Sequence, residues 1–358
     1  MTKARGEFDF IKRLRRQEHK RLKSPAAHSS LHTHHSSLLF GIGDDAAVIR
    51  QRAGLETVVT ADLLVEGVDF DLRRFPTDPR DLGHKALAVS LSDVAAMGAR
   101  PRFCLLAVGL PETLWRGDFL RQFYAGARAL ARRHGVQIIG GDLSRTTERV
   151  VVDSVVLGEA RRGRTVMRGG ARPGDQLFVT GALGGAAAGL RLLENLAGVN
   201  RRRGAPPRLT AAERRLVRRQ TRPDPRVEWG LWLGEHRLAS AMIDLSDGLS
   251  SDLAHLCREG GVGARVEAER LPLDPSLARA AGSLPGADPL ALALDGGEDF
   301  ELLFAVRPRH VPKLPRELGG VGVTRVGEVT AARGRVSLFA DGRARPLRPG
   351  GFEHFRAR

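Results

Sequence analysis

Cysteine, lysine and aromatic residues are all scarce in this 358-residue sequence. It contains two cysteines, six lysines and one tyrosine, and aromatic residues make up 5% of the chain. Two cysteines are too few for a disulfide framework, so we expect a fold stabilised by its core in a reducing, cytoplasmic compartment. Hydrophobic residues at 42% and charged residues at 27% exclude a disordered or collagen-like chain.

Long hydrophobic runs and the familiar nucleotide-binding motifs are also missing. The sequence has no apolar run of about 18 residues and no apolar segment near its charged N-terminus, so we expect neither a membrane span nor a secretory signal. No lysine follows a glycine, which excludes a Gly-Lys-Ser/Thr phosphate loop. The His-Arg-Asp and Asp-Phe-Gly elements of protein kinases are absent. Any nucleotide site must therefore have a less common architecture.

The charge is strongly unbalanced. Fifty-seven basic residues against 41 acidic ones give a formal net charge of +16. This charge raises the hypothesis of a nucleic-acid-binding protein, although an arginine-rich, solvated surface explains it and it also suits anionic small substrates. Aromatic platforms for base stacking are sparse and no nucleic-acid-binding motif occurs, so we expect no nucleic-acid partner.

The length predicts about two domains. We expect an N-terminal helix and a His-rich low-complexity insert over residues 1–38, a first domain over 39–159 and a second over 160–358, with a polar, Gly-rich boundary at 159–174. Short apolar runs alternate with helical patterns in both halves, which predicts an α/β or α+β fold. The predicted strands are 46–49, 57–60, 103–108, 136–139, 150–157, 176–179, 239–243, 264–266, 301–306 and 320–329, and the predicted helices include 82–97 and 114–134.

Carboxylates recur where these apolar strands end. Asp62, Asp142 and Asp244 each close or follow such a run. Asp93 lies inside an otherwise apolar helical pattern, where an unpaired charge would be costly. Each alone has an ordinary explanation as a helix cap or turn residue. Together, from two halves of a basic chain, they indicate Mg²⁺ and phosphate chemistry, because Mg²⁺ prefers hard oxygen ligands.

A glycine-rich turn, 181–185, follows the predicted strand 176–179 and opens a helix. Such a helix N-terminus is able to hold a phosphate. Close packing of the helix against the strand explains the glycines equally well, and the sequence alone leaves both alternatives open.

Seven segments carry a more specific signal. They are GIGDDAA (41–47), DLLVEG (62–67), KALAVSLSDVAAMGA (85–99), IGGD (139–142), RPDPR (222–226), IDLSDGL (243–249) and GGEDFEL (296–302). In this order and spacing, the chain resembles the thiamine-monophosphate kinase family, within the superfamily that includes aminoimidazole ribonucleotide synthetase and selenide, water dikinase. The matches run nearly end to end.

The resemblance implies direct, in-line transfer of a phosphoryl group from ATP to thiamine monophosphate, giving thiamine diphosphate. It implies an N-terminal mixed-sheet domain that pairs with its twin in a homodimer, and a C-terminal α/β domain. No dedicated catalytic base is implied, since the second pKa of a phosphate monoester is about 6. By position, the implied ligands of several Mg²⁺ ions are Asp45, Thr60, Ala61, Asp62, Asp93, Asp142, Asp244 and Asp247; the implied ATP contacts are Gly141, Asp142, Arg168 and Ser246; and the implied substrate contacts are Asp69, Glu298 and Phe352.

Two positions depart from the family pattern. Ala61 stands where the family has Thr, and it offers only a backbone carbonyl to a metal. Asp69 stands where the family usually has His. Asp69 is an extra Mg²⁺ ligand, a solvent-facing residue, or the sign of a changed substrate. It therefore keeps open a related ATP-dependent enzyme acting on a different phosphate or acid, beside a non-catalytic paralogue.

Overall fold

Two mixed β-sheets, one in each half of the chain, organise the fold. The computed structural model describes residues 38–40, 48–75, 77–203 and 208–354. The expectations for residues 1–37 and for the metal ligand Asp45 lie outside these ranges. At the start of the described chain, β1 (Leu38–Phe40) and β2 (Val48–Ile49) pair as an antiparallel ribbon.

The first half forms a four-stranded sheet with helices on one face. Its elements are β3 (Leu55–Val65), α1 (Pro79–Ala96), β4 (Arg100–Leu110), α2 (Glu112–Trp115), α3 (Phe119–Arg133), β5 (Gln137–Arg145) and β6 (Val151–Arg161). The strand order is β3-β6-β4-β5, in which β4 and β5 are parallel and the other two pairs are antiparallel. Burial alternates along β6, as expected for a sheet with one covered face.

Glycines let α1 and α3 approach closely over the covered face. A Cβ atom on Gly83 would lie 1.9 Å from the carbonyl oxygen of Phe123, and one on Gly126 would lie 1.9 Å from that of Arg80. Any side chain at these two positions would push the helices apart. The helix α1 begins at Asp78, whose side chain accepts a hydrogen bond from the backbone N–H of Arg80.

The second half forms an eight-stranded sheet flanked by helices. Its elements are β7 (Gln176–Thr180), α4 (Gly185–Arg203), α5 (Ala211–Thr221), α6 (Val227–Glu235), β8 (Ala239–Asp244), α7 (Leu249–Gly260), β9 (Gly263–Glu267), α8 (Ser276–Ala280), α9 (Pro289–Asp295), β10 (Leu302–Val306), β11 (Glu317–Leu318), β12 (Val321–Thr330), β13 (Val336–Ala340) and β14 (Arg343–Pro346). The order is β14-β13-β9-β12-β7-β10-β8, with β11 beside β12. The β13–β9 pair is parallel and the other pairs are antiparallel.

One side of α1 joins the two halves. His84 Nε2 lies 2.7 Å from the carbonyl oxygen of Pro223 in the second half. About three turns later, the backbone of Ala95 passes so close to Gly230 that a Cβ there would lie 2.1 Å from the Ala95 oxygen. The hydrophobic core is continuous across this junction, where Trp229 and Phe304 pack in one cluster with α1. The packing of α1 against the second half therefore fixes where the side chains on this side of the helix lie relative to that half.

The described elements confirm the predicted α/β organisation and extend it. The run predicted as 57–60 is part of the longer β3, and the run 136–139 continues as β5 to Arg145. The single helix predicted over 114–134 is wrong, because the chain breaks it into α2 and α3 around Gly117. No helix within the described ranges is long and apolar enough to cross a membrane.

Candidate active site

Three aspartates from different elements gather where the two halves meet. Asp62 lies on β3, Asp93 lies on α1, and Asp244 ends β8. A hydroxyl group donates a hydrogen bond to each carboxylate: Ser90 Oγ to Asp62 Oδ2 at 2.6 Å, Thr60 Oγ1 to Asp93 Oδ2 at 2.5 Å, and Ser92 Oγ to Asp244 Oδ2 at 2.7 Å. We call Asp62, Asp93 and Asp244 the aspartate cluster. Sequence reasoning predicted the three carboxylates and Thr60 but missed both serines.

Burial raises the pKa of every member of the aspartate cluster, and repulsion between carboxylates adds to it for Asp62 and Asp244. Burial raises the pKa of Asp62 to about 6, with the negative charge of Asp93 adding to the effect. Burial again, and then the charges of Asp93 and Asp62, raise the pKa of Asp244 to about 7. Burial also raises the pKa of Asp93. The raised pKa values show that ionised carboxylates are unfavourable in this pocket without a counter-charge. A cation between the carboxylates would replace their repulsion by attraction, so the pocket favours a bound cation.

Arg168 supplies positive charge close to the cluster. It is exposed, in the segment between the two halves, and its charge lowers the pKa of Asp93, Asp244 and Asp247 against the effect of burial. Within the described ranges, no hydrogen bond or ion pair of Arg168 to another residue is present. Its guanidinium group is therefore available to an anionic ligand.

The loop after β8 is shaped by a buried aspartate that sequence reasoning missed. Asp252, 2% exposed, accepts hydrogen bonds from the backbone N–H groups of Asp247 at 3.2 Å and Gly248 at 3.1 Å. Gly248 has a φ of +116°, a conformation that favours glycine. Burial, with the charges of Asp244 and Asp247, raises the pKa of Asp252 to about 8. The sequence signal was an acidic residue in the first turn of a helix, which usually marks no more than a helix start.

The predicted substrate residues lie against the same loop. The backbone N–H of Glu298 donates to the carbonyl oxygen of Ser246 at 2.7 Å, and that of Phe352 donates to the carbonyl oxygen of Asp247 at 3.1 Å. The ring of Phe352 is 49% exposed. The structure thus brings the predicted nucleotide residue Ser246, the predicted metal residue Asp247 and two predicted substrate residues into one neighbourhood.

Asp69 turns its carboxylate back to its own chain. The Oδ2 atom accepts a hydrogen bond of 2.8 Å from the backbone N–H of Val65, which closes the turn after β3. The backbone carbonyl of Asp69 accepts a hydrogen bond of 3.1 Å from Lys85 Nζ. The side chain therefore stabilises a turn, and its position gives no support to a role as a metal ligand.

Three other predicted residues are exposed on strands of the first sheet. Gly141 and Asp142 are exposed on β5, and Asp142 is in register with Ala107 of β4, which is itself in register with Asp153 of β6. Gly141 has a φ of +148°, and a Cβ atom there would lie 1.9 Å from a backbone oxygen of the neighbouring strand, so this position requires glycine. Ala61 is exposed on β3.

The glycine-rich turn before α4 leads into a helix N-terminus that already holds a carboxylate of the chain itself. Asp299 accepts hydrogen bonds from the backbone N–H groups of Gly184 at 2.6 Å and Ala186 at 3.0 Å. A carboxylate of the chain itself thus occupies the helix N-terminus where a phosphate would bind. The geometry favours the close-packing interpretation of these glycines.

Comparison with known proteins decides the family. A family model described as AIR synthase related protein, N-terminal domain, matches residues 43–160, and the corresponding C-terminal domain matches 172–339. The thiamine-monophosphate kinase of Bacillus subtilis is 35% identical over 328 residues, covering 90% of this chain and 95% of that protein. That of Escherichia coli K12 is 37% identical over 323 residues, covering 88% and 91%. This chain belongs to the thiamine-monophosphate kinase family.

Solved structures of the family share the fold. The crystal structure of thiamine-monophosphate kinase from Stenotrophomonas maltophilia superposes with a TM-score of 0.77 at 37% identity, covering 93% of this chain and 96% of that one. A structure of AaThiL complexed with AMPPCP and TMP gives a TM-score of 0.72 at 29% identity, covering 99% of both chains. Membership confirms the resemblance carried by the seven segments and the predicted two-part fold class.

Proposed function

We propose that this protein transfers the γ-phosphoryl group of ATP to thiamine monophosphate, giving thiamine diphosphate and ADP. The observation that carries the proposal is the junction of the two halves. There the aspartate cluster and Arg168 lie close to the loop that holds Ser246, to which the backbones of Glu298 and Phe352 are hydrogen-bonded. The family relatives are thiamine-monophosphate kinases, and the similar AaThiL structure holds both AMPPCP and TMP.

The reaction needs positioning and charge neutralisation more than acid–base chemistry. A phosphate oxygen of thiamine monophosphate attacks the γ-phosphorus of ATP, a new P–O bond forms in line with the breaking bond to the β-phosphate, and ADP leaves. The attacking phosphate is largely ionised near pH 7, so no residue has to remove a proton. Arg168 would stabilise the negative charge that spreads over the transferred group.

The residues of the junction fit Mg²⁺ by their chemistry. The charge of Asp93 raises the pKa of Asp62, and the charges of Asp93 and Asp62 raise that of Asp244, as expected of carboxylates that share a cation. Among the described residues, no three His, Cys, Asp or Glu side chains converge on a single ion position. Mg²⁺ binds one or two protein carboxylates directly and completes its octahedron with water and phosphate oxygens. Such ions would neutralise phosphate charge when bound.

The ligand set that we propose is the predicted one. The ions would be held by the carboxylates of the aspartate cluster and Asp247 and by the hydroxyl of Thr60. Ala61 would offer its backbone carbonyl. Asp142 would bind an ion that also contacts the ATP phosphates. Asp45 belongs to the same proposal from the sequence alone.

We also propose a homodimer formed by the open face of the four-stranded sheet. On this face of β3, Val59 is 61% exposed and Leu63 is 58% exposed. Contiguous apolar surface of this kind usually marks an interaction site. Light scattering should give twice the chain mass for the wild type and a single chain mass for Leu63→Glu. Leu273→Glu, at a residue that is 40% exposed elsewhere, should leave the mass unchanged.

Domain limits and compartment follow as smaller proposals. We propose limits of 39–159 and 160–358 for the two domains; the last strand of the first sheet ends at Arg161, just past this boundary, and the second sheet begins at Gln176. Cys104 and Cys257 are both free and buried, which suits the reducing conditions of the cytoplasm.

An assay with purified protein, ATP, Mg²⁺ and thiamine monophosphate tests the proposed function directly. We expect thiamine diphosphate and ADP in equal amounts, and no ADP release with thiamine or with unrelated phosphate monoesters. ADP release with another phosphate or acid, and none with thiamine monophosphate, would favour the related-enzyme alternative. The turn-closing hydrogen bond of Asp69 removes the main sequence argument for that alternative.

A further inference from the structure

Lys85 is a buried cation in the middle of α1. Its side chain is 5% exposed, and a charge at such depth is costly unless it is paired. Lys85 Nζ lies 2.6 Å from Glu298 Oε1 and donates a hydrogen bond of 3.1 Å to the backbone carbonyl of Asp69. It therefore connects a helix of the first half, the turn after β3, and the loop after α9 in the second half.

Both carboxylate oxygens of Glu298 are held from opposite sides. Lys85 binds Oε1, and Gln220 of α5, which is 5% exposed, donates to Oε2. The side chain of Glu298 nevertheless keeps 27% of its surface exposed, so one edge faces outward while its two oxygens are fixed.

The backbone of Glu298 is held as firmly as its side chain. Its φ is +66°, in the left-handed region that non-glycine residues rarely adopt. Its N–H donates to the carbonyl oxygen of Ser246 at 2.7 Å. Residues in such conformations persist where the surroundings over-determine them, and they concentrate at binding sites.

We propose that Lys85 and Gln220 form a clamp that positions Glu298 for the cationic thiamine moiety of the substrate; this inference rests on the proposed function. Lys85 does not touch the substrate in this proposal, and it acts through Glu298. A fixed carboxylate binds more tightly than a mobile one, because its side chain loses no rotational freedom on binding. The backbone contact to Asp69 would set the adjoining turn against the same pocket.

Two other roles for Lys85 predict different results. If Lys85 acted only through its charge, removing it would strengthen the attraction between Glu298 and a cationic ring, and KM for thiamine monophosphate would fall. If the ion pair only stabilised the fold, its loss would lower the melting temperature and leave KM unchanged. The clamp predicts that KM for thiamine monophosphate rises while KM for ATP does not.

The test is a double-variant cycle read by steady-state kinetics and thermal melting. Lys85→Met in the wild-type background should raise KM for thiamine monophosphate about tenfold and leave KM for ATP within about threefold. In a Glu298→Gln background, the same substitution should change KM by less than about twofold, because its effect passes through Glu298. Lys85→Gln, which keeps a donor for Glu298, should restore part of the loss.

Asp81→Asn is the matched control. Asp81 lies one turn before Lys85 on α1, and its Oδ1 atom forms an ion pair of 3.2 Å with Arg222 Nη1. Neither partner is a predicted site residue. It should lower the melting temperature and leave KM for thiamine monophosphate within about twofold. If Lys85→Met does not fold, Gln220→Met tests the other arm of the clamp with the same expected rise in KM.

An unchanged or lowered KM in a folded Lys85→Met protein overturns the clamp, and so does an equal effect in both backgrounds. A wild-type protein that phosphorylates another compound but not thiamine monophosphate overturns the proposed function and the clamp together. Wild-type turnover of thiamine monophosphate with no KM effect in the variants overturns the clamp alone.

Discussion

Ser92 on α1 donates a hydrogen bond of 2.7 Å to Asp244 at the end of β8, across 152 positions of sequence. Both side chains are buried, Ser92 at 0% and Asp244 at 3% exposure. The bond ties the carboxylate of the second half to the helix that carries Asp93. The aspartate cluster therefore depends on the relative placement of the two halves.

Removing this bond should damage activity more than stability. We expect Ser92→Ala to lower kcat by about tenfold or more, since Asp244 loses the donor that holds its charged form in place. Ser240→Ala is the matched control, because Ser240 Oγ donates to Asp175 Oδ2 at 2.6 Å on the same strand, away from the cluster. Both variants should melt lower, and equal kcat in the two would contradict the role of Ser92.

The proposed metal ligands Asp62 and Asp142 should both be required for turnover. We expect Asp62→Asn and Asp142→Asn each to reduce kcat by roughly a hundredfold, because a lost Mg²⁺ ligand removes several kcal/mol of charge stabilisation. Asp142 is exposed, so its variant should keep the wild-type melting temperature. Turnover measured across a range of Mg²⁺ concentrations checks this prediction, and near-wild-type rates for Asp142→Asn at modest Mg²⁺ would remove it from the site.

We expect Arg168 to bind the ATP phosphates through two parallel hydrogen bonds from its planar guanidinium group. Arg168→Lys keeps the charge but loses the planar fork, so ATP affinity should fall by about tenfold with no change in melting temperature. Arg172→Lys, at another exposed arginine of the same segment, is the control and should bind ATP as the wild type does. Equal ATP affinity of Arg168→Lys and wild type, measured by calorimetric titration, would exclude Arg168 from the site.

Acid should weaken the junction through His84. Burial lowers the pKa of this imidazole to about 4, and its Nδ1 atom is buried without a hydrogen-bond partner. Between about pH 4 and the unfolded value near 6.5, the unfolded state binds the extra proton, so stability rises with pH across this window and is lost as pH falls.

His84→Gln, which keeps a donor for the Pro223 carbonyl, isolates this contribution. Urea denaturation from pH 4.5 to 7.5 should show a flatter dependence in the variant, by up to about 1.4 kcal/mol per pH unit. His134, also buried with its pKa lowered to about 4, remains in both proteins. Parallel curves for the two proteins would contradict the assignment to His84.

Local sequence patterns predicted the elements better than their ends. The apolar run 150–157 predicted the strand β6, but β5 runs on to Arg145 through polar residues that are mostly exposed, where no apolar run marks it. The predicted helix 114–134 contains Gly117, and periodicity on either side of it did not reveal that the chain turns there. Element type follows from local periodicity, whereas element limits depend on what packs against the chain.

The same distinction applies to the site. Asp93 stood out because an unpaired carboxylate in an apolar helix is costly, and the structure supplies Thr60 and Arg168 as its compensation. The contacts of Asp244 with Ser92, and of Glu298 with Lys85, join segments that lie far apart in the sequence. No local pattern encodes such pairs, because the packing of two halves creates them.

A substitution at Asp69, where the family usually has His, tests directly whether the substrate has changed. Its carboxylate accepts the N–H of Val65 at 2.8 Å, and we expect thiamine monophosphate to remain the substrate. Asp69→His should therefore preserve or improve the affinity for thiamine monophosphate, because a carboxylate repels an anionic substrate and its loss costs little beyond one hydrogen bond of a turn. Asp69→Asn is the matched control, since it removes the charge and keeps an acceptor for Val65. If the native protein ignores thiamine monophosphate but phosphorylates another compound, and Asp69→His abolishes that activity, Asp69 instead selects a changed substrate.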